Sequence, residues 1–225
     1  MSEIIFTSKI YVEEKYFPVP ASQFIPDWYR STTIRDRDNS DILTIKKCIP
    51  ILDSIISGYI IFTHKDISVS SGETFSWERI DKCPVIPPVE KFHKSQNPKY
   101  PIESRAGYPK FNIPWSIKTE KGYSTLFIPP MHRCSEVFEI LPAIVDTDNY
   151  INPVNLPFVF KNKDFSGTIK AGTPIAQILP FKRDSFTMKI FNKKNLKDVH
   201  LNEVKLKSME ENSYRSQFWE KKHYR

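Results

Sequence analysis

Asp146 and Asp148 are the residues of this chain best placed for chemistry. They lie two apart in the run Val145-Asp146-Thr147-Asp148-Asn149, between a β-branched segment at residues 143–145 and an apolar one at 156–160. Asp, Thr and Asn bond nearby backbone and so favour a turn, and capping that turn is the role physics alone assigns to Asp146. A carboxylate at the end of an apolar strand is also open to acid–base work. Gln177 is the second candidate, the one polar side chain in the apolar run 175–179. A buried amide needs partners, so Gln177 either bridges structural elements or reads a ligand. Arg133 carries a planar fork that suits phosphate or carboxylate. Together these residues define the expected site: Asp146 as the catalytic candidate, with Gln177, Tyr150, Asp148, Arg133 and Tyr123 for ligand binding.

Metal and thiol chemistry has less to stand on. His64, His93, His132, His200 and His223 form no pair at ligand spacing. His132 with Cys134 lacks the second pair that a four-donor structural zinc requires, so no metal and no cofactor is expected. Cys134 beside His132 has the residue types of an activated nucleophile, but that activation depends on geometry which spacing does not supply. Cys48, Cys83 and Cys134 are scattered and odd in number. They read as reduced cytosolic thiols, buried or incidental.

The elements that must position these side chains are short. Strands are expected at residues 4–11, 43–48, 59–63, 66–69, 74–77, 111–119, 123–128, 137–141, 143–145, 156–160, 166–170, 175–179 and 185–191, from β-branched and aromatic runs cut by Pro, Gly and Asn. Pro153 and Pro157 mark an edge or a strand start. Helical turns fit residues 20–30, anchored by Trp28 and Tyr29, and residues 51–57, where Pro50 suits the first position and Gly58 the stop. Six prolines between 84 and 109 exclude a sheet interior, so residues 83–110 read as a long ordered loop.

At 225 residues, with 18 Pro against 6 Gly, the chain suits one β-rich domain (1–191) carrying a basic, aromatic helical extension (192–225). The longest apolar stretch, 49–63, contains Asp53 and is too short to span a bilayer. Nor does the N-terminus have a signal peptide's basic start and apolar core. Residues 161–225 hold 15 Lys/Arg against 7 Asp/Glu, while residues 1–160 hold 18 against 19, so the basic excess belongs to the C-terminal end. There Phe218, Trp219 and Tyr224 alternate with Arg215, Lys221, Lys222 and Arg225. Aromatics among basics can stack bases and hold phosphates, but docking of the aromatic face on the β body or a neighbouring subunit needs no further partner and is preferred.

Two resemblances follow from these residues. Val145-Asp146-Thr147-Asp148-x-Tyr150 and Lys170-Ala171-Gly172-Thr173-Pro174-Ile175-Ala176-Gln177 resemble the third and fourth motifs of the dUTPase and dCTP-deaminase superfamily. That likeness implies a mainly β, β-clip-like fold: a twisted, partly closed sheet with short helices and a C-terminal helix. It also implies that Asp146 holds a water that attacks a nucleotide. Tyr150 falls one residue later than that family's sugar-stacking tyrosine. No arginine-serine-glycine motif follows the 123–128 strand, and no glycine-rich phosphate-covering tail is present. Ordinary dUTPase activity is therefore not expected.

Across most of its length the chain resembles a family of uncharacterised proteins from tailed phages and some bacteria. The likeness is carried by Pro26-Asp27-Trp28-Tyr29, Ile45-Lys46-Lys47-Cys48-x-Pro50, Ser57-Gly58-Tyr59-Ile60 and Gly122-Tyr123-Ser124-x-Leu126-Phe127. The function expected is non-catalytic binding of a small, nucleotide-like ligand or a protein partner, in the host cytoplasm and with no membrane. Homo-oligomerisation is compatible with it, and nucleic acid through the tail is not favoured. A diverged nucleotide pyrophosphatase using Asp146 and a virion-associated structural protein are the alternatives.

Overall fold

The computed structural model describes residues 2–35, 38, 40, 44–78, 86–91, 108–190, 214, 215 and 218–224. Its strands are β1 (Ile4–Ser8), β2 (Val19–Pro20), β3 (Tyr59–Phe62), β4 (Ile67–Ser70), β5 (Thr74–Ser76), β6 (Val89–Lys91), β7 (Pro109–Thr119), β8 (Tyr123–Ile128), β9 (Phe138–Ile140), β10 (Ala143–Val145), β11 (Pro153–Phe160), β12 (Gly167–Ile169) and β13 (Pro174–Lys182). Two short α-helices, α1 (Asp27–Ser31) and α2 (Ile49–Ile56), sit outside the sheets. The chain is mainly β, and every strand pairing is antiparallel.

Three sheets form. One runs β1-β7-β11-β9 with β6 also on β7, the second runs β10-β8-β13-β3-β2, and the third is β12-β4-β5. The core lies where their apolar faces meet and draws on Ile61, Ile67, Phe111, Phe127, Phe158, Ile169 and Ile178 from all three. Phe111 and Phe158 stack with centroids 4.0 Å apart, Phe138 meets Phe111 edge-on at 5.0 Å, and Phe160 meets Phe158 edge-on at 5.2 Å. Such pairs add directional preference to the burial of large rings.

The prolines fall where a missing N–H does least harm. β11 pairs with β7 up to Pro157 and with β9 from Phe158 onward, so Pro157 sits where one partner hands over to the other. Pro114 lies inside β7 at the register shift between its Ser116 and Asn112 pairings. Both positions suit a residue that cannot donate to a ladder.

Helix α2 has Pro50 in its first turn, at the second position rather than the first, and ends at Ile56; Gly58, just past the Ser57 cap, has a φ of +72°. A Cβ there would lie 1.9 Å from the Ile178 carbonyl oxygen. Only glycine lets the chain leave α2, pass under β13 and enter β3.

Several sequence expectations need correction. The strand expected at 43–48 is instead a 3-10 helix at Ile45–Lys47, capped by the Thr44 hydroxyl accepting from the Lys46 N–H; the local cap outcompetes a short β-prone run. The proline-rich segment 83–110 lies largely outside the described residues, but it contains β6, which uses the edge of β7. Residues 185–190 are not in a strand, and Phe191 lies outside the described residues. Cys48 and Cys134 are exposed free thiols, not buried ones; Cys83 lies outside the described residues.

Most of the C-terminal extension also lies outside the described residues. Of its described residues, 214 and 215 are helical, while 219–224 are irregular and pack back on the body. The Trp219 indole N–H donates to both Asp53 carboxylate oxygens at 3.0 and 3.1 Å, Lys222 reaches Asp53 at 2.7 Å, and Tyr224 meets Tyr59 edge-on at 6.0 Å. Phe218 stays 47% exposed, so Trp219 and Tyr224 are the anchors here. Removing residues 212–225 is expected to cost about 2 kcal/mol, because a charged, mostly buried acceptor loses its donor. A thermal melt of the truncated chain that matches the full one would contradict this docking.

Candidate functional site

The turn after β10 is built around Thr147. Its side chain is fully buried, and its hydroxyl lies 2.8 Å from those of both Thr119 and Thr125. The Asn149 and Tyr150 N–H groups both donate to the Asp146 carbonyl, at 3.0 and 2.8 Å. With Thr147 turned inward, Asp146 and Asp148 share the opposite side, as residues two apart in an extended chain do. Both acids meet Arg183, which follows the end of β13.

Asp148 is the more enclosed acid, its side chain only 3% exposed. It accepts from the Gly122 N–H at 2.8 Å, from Arg183 Nη1 at 2.9 Å and from Arg183 Nη2. The Arg183 guanidinium first, and then the Gly122 N–H, hold its carboxyl down to about 2. The same bond raises the Arg183 guanidinium above its ordinary value. Such forked, charge-assisted pairing is strong and geometrically specific. Arg183 also donates to the Tyr123 carbonyl at 2.9 Å and the Ser124 hydroxyl at 3.0 Å. Its own N–H donates to the Gly122 carbonyl at 2.8 Å. Gly122 has a φ of +89°, which the tight β7–β8 turn requires.

Asp146 is 62% exposed at its side chain. One of its oxygens takes the Ser124 hydroxyl at 2.6 Å and lies 3.2 Å from Arg183 Nη1. Tyr123 is half-buried, with its hydroxyl 3.1 Å from that of Ser2. Tyr150 is 41% exposed, and its hydroxyl reaches no closer than 3.5 Å to the Pro153 carbonyl. The first cluster is thus Asp146, Asp148, Tyr123, Ser124 and Arg183, with Tyr150 at its margin. It ties the ends of β8, β10 and β13 together.

Gln177 and Arg133 belong to a second cluster. Gln177 is fully buried. Its amide donates to the Ser54 and Ser57 carbonyls at 2.9 and 2.6 Å and accepts from the Met131 N–H at 2.9 Å and from Arg133 Nη1 at 3.4 Å. Arg133 donates to the carbonyls of Phe24 (2.7 Å), Met131 (3.2 Å), Ala21 (3.3 Å) and Ile55 (3.0 Å). Burial lowers its guanidinium to about 10, and among the described residues no carboxylate bonds to it to offset that cost. The Ser54, Ile55 and Ser57 carbonyls lie at the C-terminal end of α2, where backbone acceptors have no helical partner. Gln177 and Arg133 cap that end, and the cation suits the negative end of a helix.

Five residues of β13 lie between Gln177 and Arg183, which are six steps or about 20 Å of extended chain apart. The first cluster therefore sits past the C-terminal end of β13 and the second near its middle, and Asp146 lines neither hollow that Arg133 lines. Two hollows among the described residues are lined by neither Asp146 nor Gln177, although Arg133 reaches the second of them. One of about 280 Å³ is lined by Tyr11, Tyr16, His64 and Asp66. A shallower one of about 590 Å³ runs along Phe24, Asp27, Arg30 and Cys134.

No family model and no curated protein matches this chain.

The likeness to the dUTPase superfamily and to the phage-type family therefore rests on the residues that carry it. Sequence reasoning missed Arg183, Ser124 and Thr147. A usable signal was present: an Asp-x-Asp pair on one side of an extended turn asks for a shared cation, and Arg183 closes the strand that the pattern places nearby. Among the described residues no group of three His, Cys, Asp or Glu could hold a metal ion. His132 does not turn toward Cys134; its Nε2 lies 2.9 Å from the Ser54 hydroxyl.

Proposed function

We propose that this chain is a non-catalytic binding protein whose partner is another polypeptide. The observation that carries this reading is the segment after β13, where Phe186, Met188 and Ile190 are 93%, 83% and 82% exposed. Large apolar side chains grouped in this way mark an interaction surface. The acid cluster supports the non-catalytic half of the reading. Asp148 is committed to Arg183 and Gly122, and Asp146 already accepts from Ser124 and lies against the same guanidinium. Gln177, the expected ligand reader, spends both amide donors on α2. Within this reading the body is β-clip-like, a finer assignment supported by the order of the acid-bearing turn, the Gly172 turn and the long strand β13.

Asp146 decides between this and a diverged nucleotide pyrophosphatase. Asp146→Asn keeps the acceptor for Ser124, and as an exposed substitution it should shift stability by less than about 0.5 kcal/mol. With deoxynucleoside triphosphates and magnesium, neither wild type nor variant is expected to release pyrophosphate, and no nucleotide is expected to raise the melting temperature. Turnover by the wild type that disappears in Asp146→Asn would replace the binding reading with the enzymatic one.

A further inference from the structure

Two unpartnered apolar features meet at β13. The first is the arm that follows it. Residues 183–190 have no regular structure, and Phe186, Met188 and Ile190 recur at every second position, nearly fully exposed. Period-two alternation is the pattern of a strand with one buried face. Natural proteins avoid leaving such a segment bare, because it recruits other chains.

The second feature is the outer face of the β10-β8-β13 sheet. Ile144, Leu126 and Leu179 lie in one row across its three strands, since Ile144 and Leu179 both pair with Leu126. Phe181 is two residues beyond Leu179 on the same face. Ile144 is 62% and Phe181 38% exposed, and Leu126 and Leu179 are half-buried. At the other end of this face, Gln177 is sealed under α2. The cover stops there.

We infer that the arm of one chain packs on this outer face of a second copy, in a reciprocal pair. The inference rests on the protein-binding reading above and names the partner. One chain carries both halves of the contact, joined through β13, and a two-fold pair would close both at once, which is the commonest symmetry of soluble oligomers. The root of the arm is fixed, because Arg183 is held by Asp148 and by the Gly122 carbonyl. From there Ile190 lies up to about 23 Å away along an extended chain, far enough to cross to a neighbour. The area also suffices. Three large side chains at on the order of 150 Å² each, on two arms and with the faces beneath them, come to about 1,800 Å², within the ~1,200–2,000 Å² of a specific interface.

The test uses the full chain, its variant with Phe186, Met188 and Ile190 all replaced by Ser, and Ile144→Lys. All four positions are exposed, so circular dichroism should show an unchanged fold. Sedimentation equilibrium is expected to give the wild type at twice its 26.4 kDa mass. Both variants should dissociate at least about 100-fold more readily. Hydrogen exchange at 186–190 should slow as protein concentration rises in the wild type only. A pair that survives both variants unchanged would overturn the proposal, since the copies would then meet elsewhere. A wild type that stays monomeric with a freely exchanging arm would overturn the second copy as partner and leave the wider binding reading standing. A monomer whose arm amides are protected at every concentration would show the arm seated on its own body, and both readings would fall.

Discussion

Replacing Gln177 by Leu should lower the free energy of unfolding by about 3–5 kcal/mol, because it strands backbone groups worth about 1–3 kcal/mol each when left unpaired inside a protein. The groups are the Ser54 and Ser57 carbonyls and the Met131 N–H. Leucine fills a similar volume, so the loss is polar rather than a cavity effect. The carbonyls belong to the end of α2, which joins through Gly58 to β3, beside β13. Damage should therefore spread to the central sheet and appear as a cooperative loss in urea unfolding. Arg133→Met removes the other half of the same cap, so the double variant should lose less than the sum of the two single losses. A loss below about 1 kcal/mol for Gln177→Leu would mean that these carbonyls find other partners, and Gln177 would again be available as a ligand reader.

How far the sequence revealed the molecule depended on how local each signal was. β-Branched and aromatic runs cut by Pro, Gly and Asn located β1, β3, β4, β7, β8 and β10 within a few residues, because those preferences are written into the strand itself. Pro50 and Gly58 located α2 for the same reason. The run at 43–48 has similar composition, yet Ile45–Lys47 form a 3-10 helix, an outcome that turned on the Thr44 cap. The segment 185–190 failed in the reverse way: its alternation is real, but among the described residues no strand pairs with it.

The site shows the same division. That Asp146 and Asp148 form a turn was legible, as was the choice for Gln177 between bridge and reader. Which alternative holds depends on where the end of α2 lies in space, more than a hundred residues away in sequence. Arg133 was expected to meet an anion and instead meets backbone carbonyls, a choice that spacing could not reveal. Arg183 organises the acid cluster only because β13 runs antiparallel beside β8 and places its end next to the turn after β10.

The remaining large effect comes from His64. It follows β3, and its Nε2 is buried without a hydrogen-bond partner among the described residues. Desolvation first, and then the neighbouring Lys65 charge, lower its imidazolium to about 4. Asp66 and Glu78 line the same hollow with Glu13, but the Asp66 carboxylate is bound to Lys170 at 2.8 Å and Glu13 to Lys15 at 2.7 Å. In the unfolded chain His64 takes its proton near pH 6.5. Between these two values the unfolded state binds more protons, so stability rises with pH across that window and is lost as pH falls through it. The full loss, reached below about pH 4, is about 3 kcal/mol. Asp148 adds an acid-labile contribution of the same sign, but over a lower window that ends near its folded value of about 2. His64→Gln keeps a polar side chain without a titratable ring. It should flatten the slope of unfolding free energy between about pH 6.5 and 4 while leaving the lower limb in place. Urea titrations at a series of pH values read both limbs directly. Parallel curves for wild type and His64→Gln across the upper window would show that the His64 ring takes its proton as readily in the folded chain as in the unfolded one.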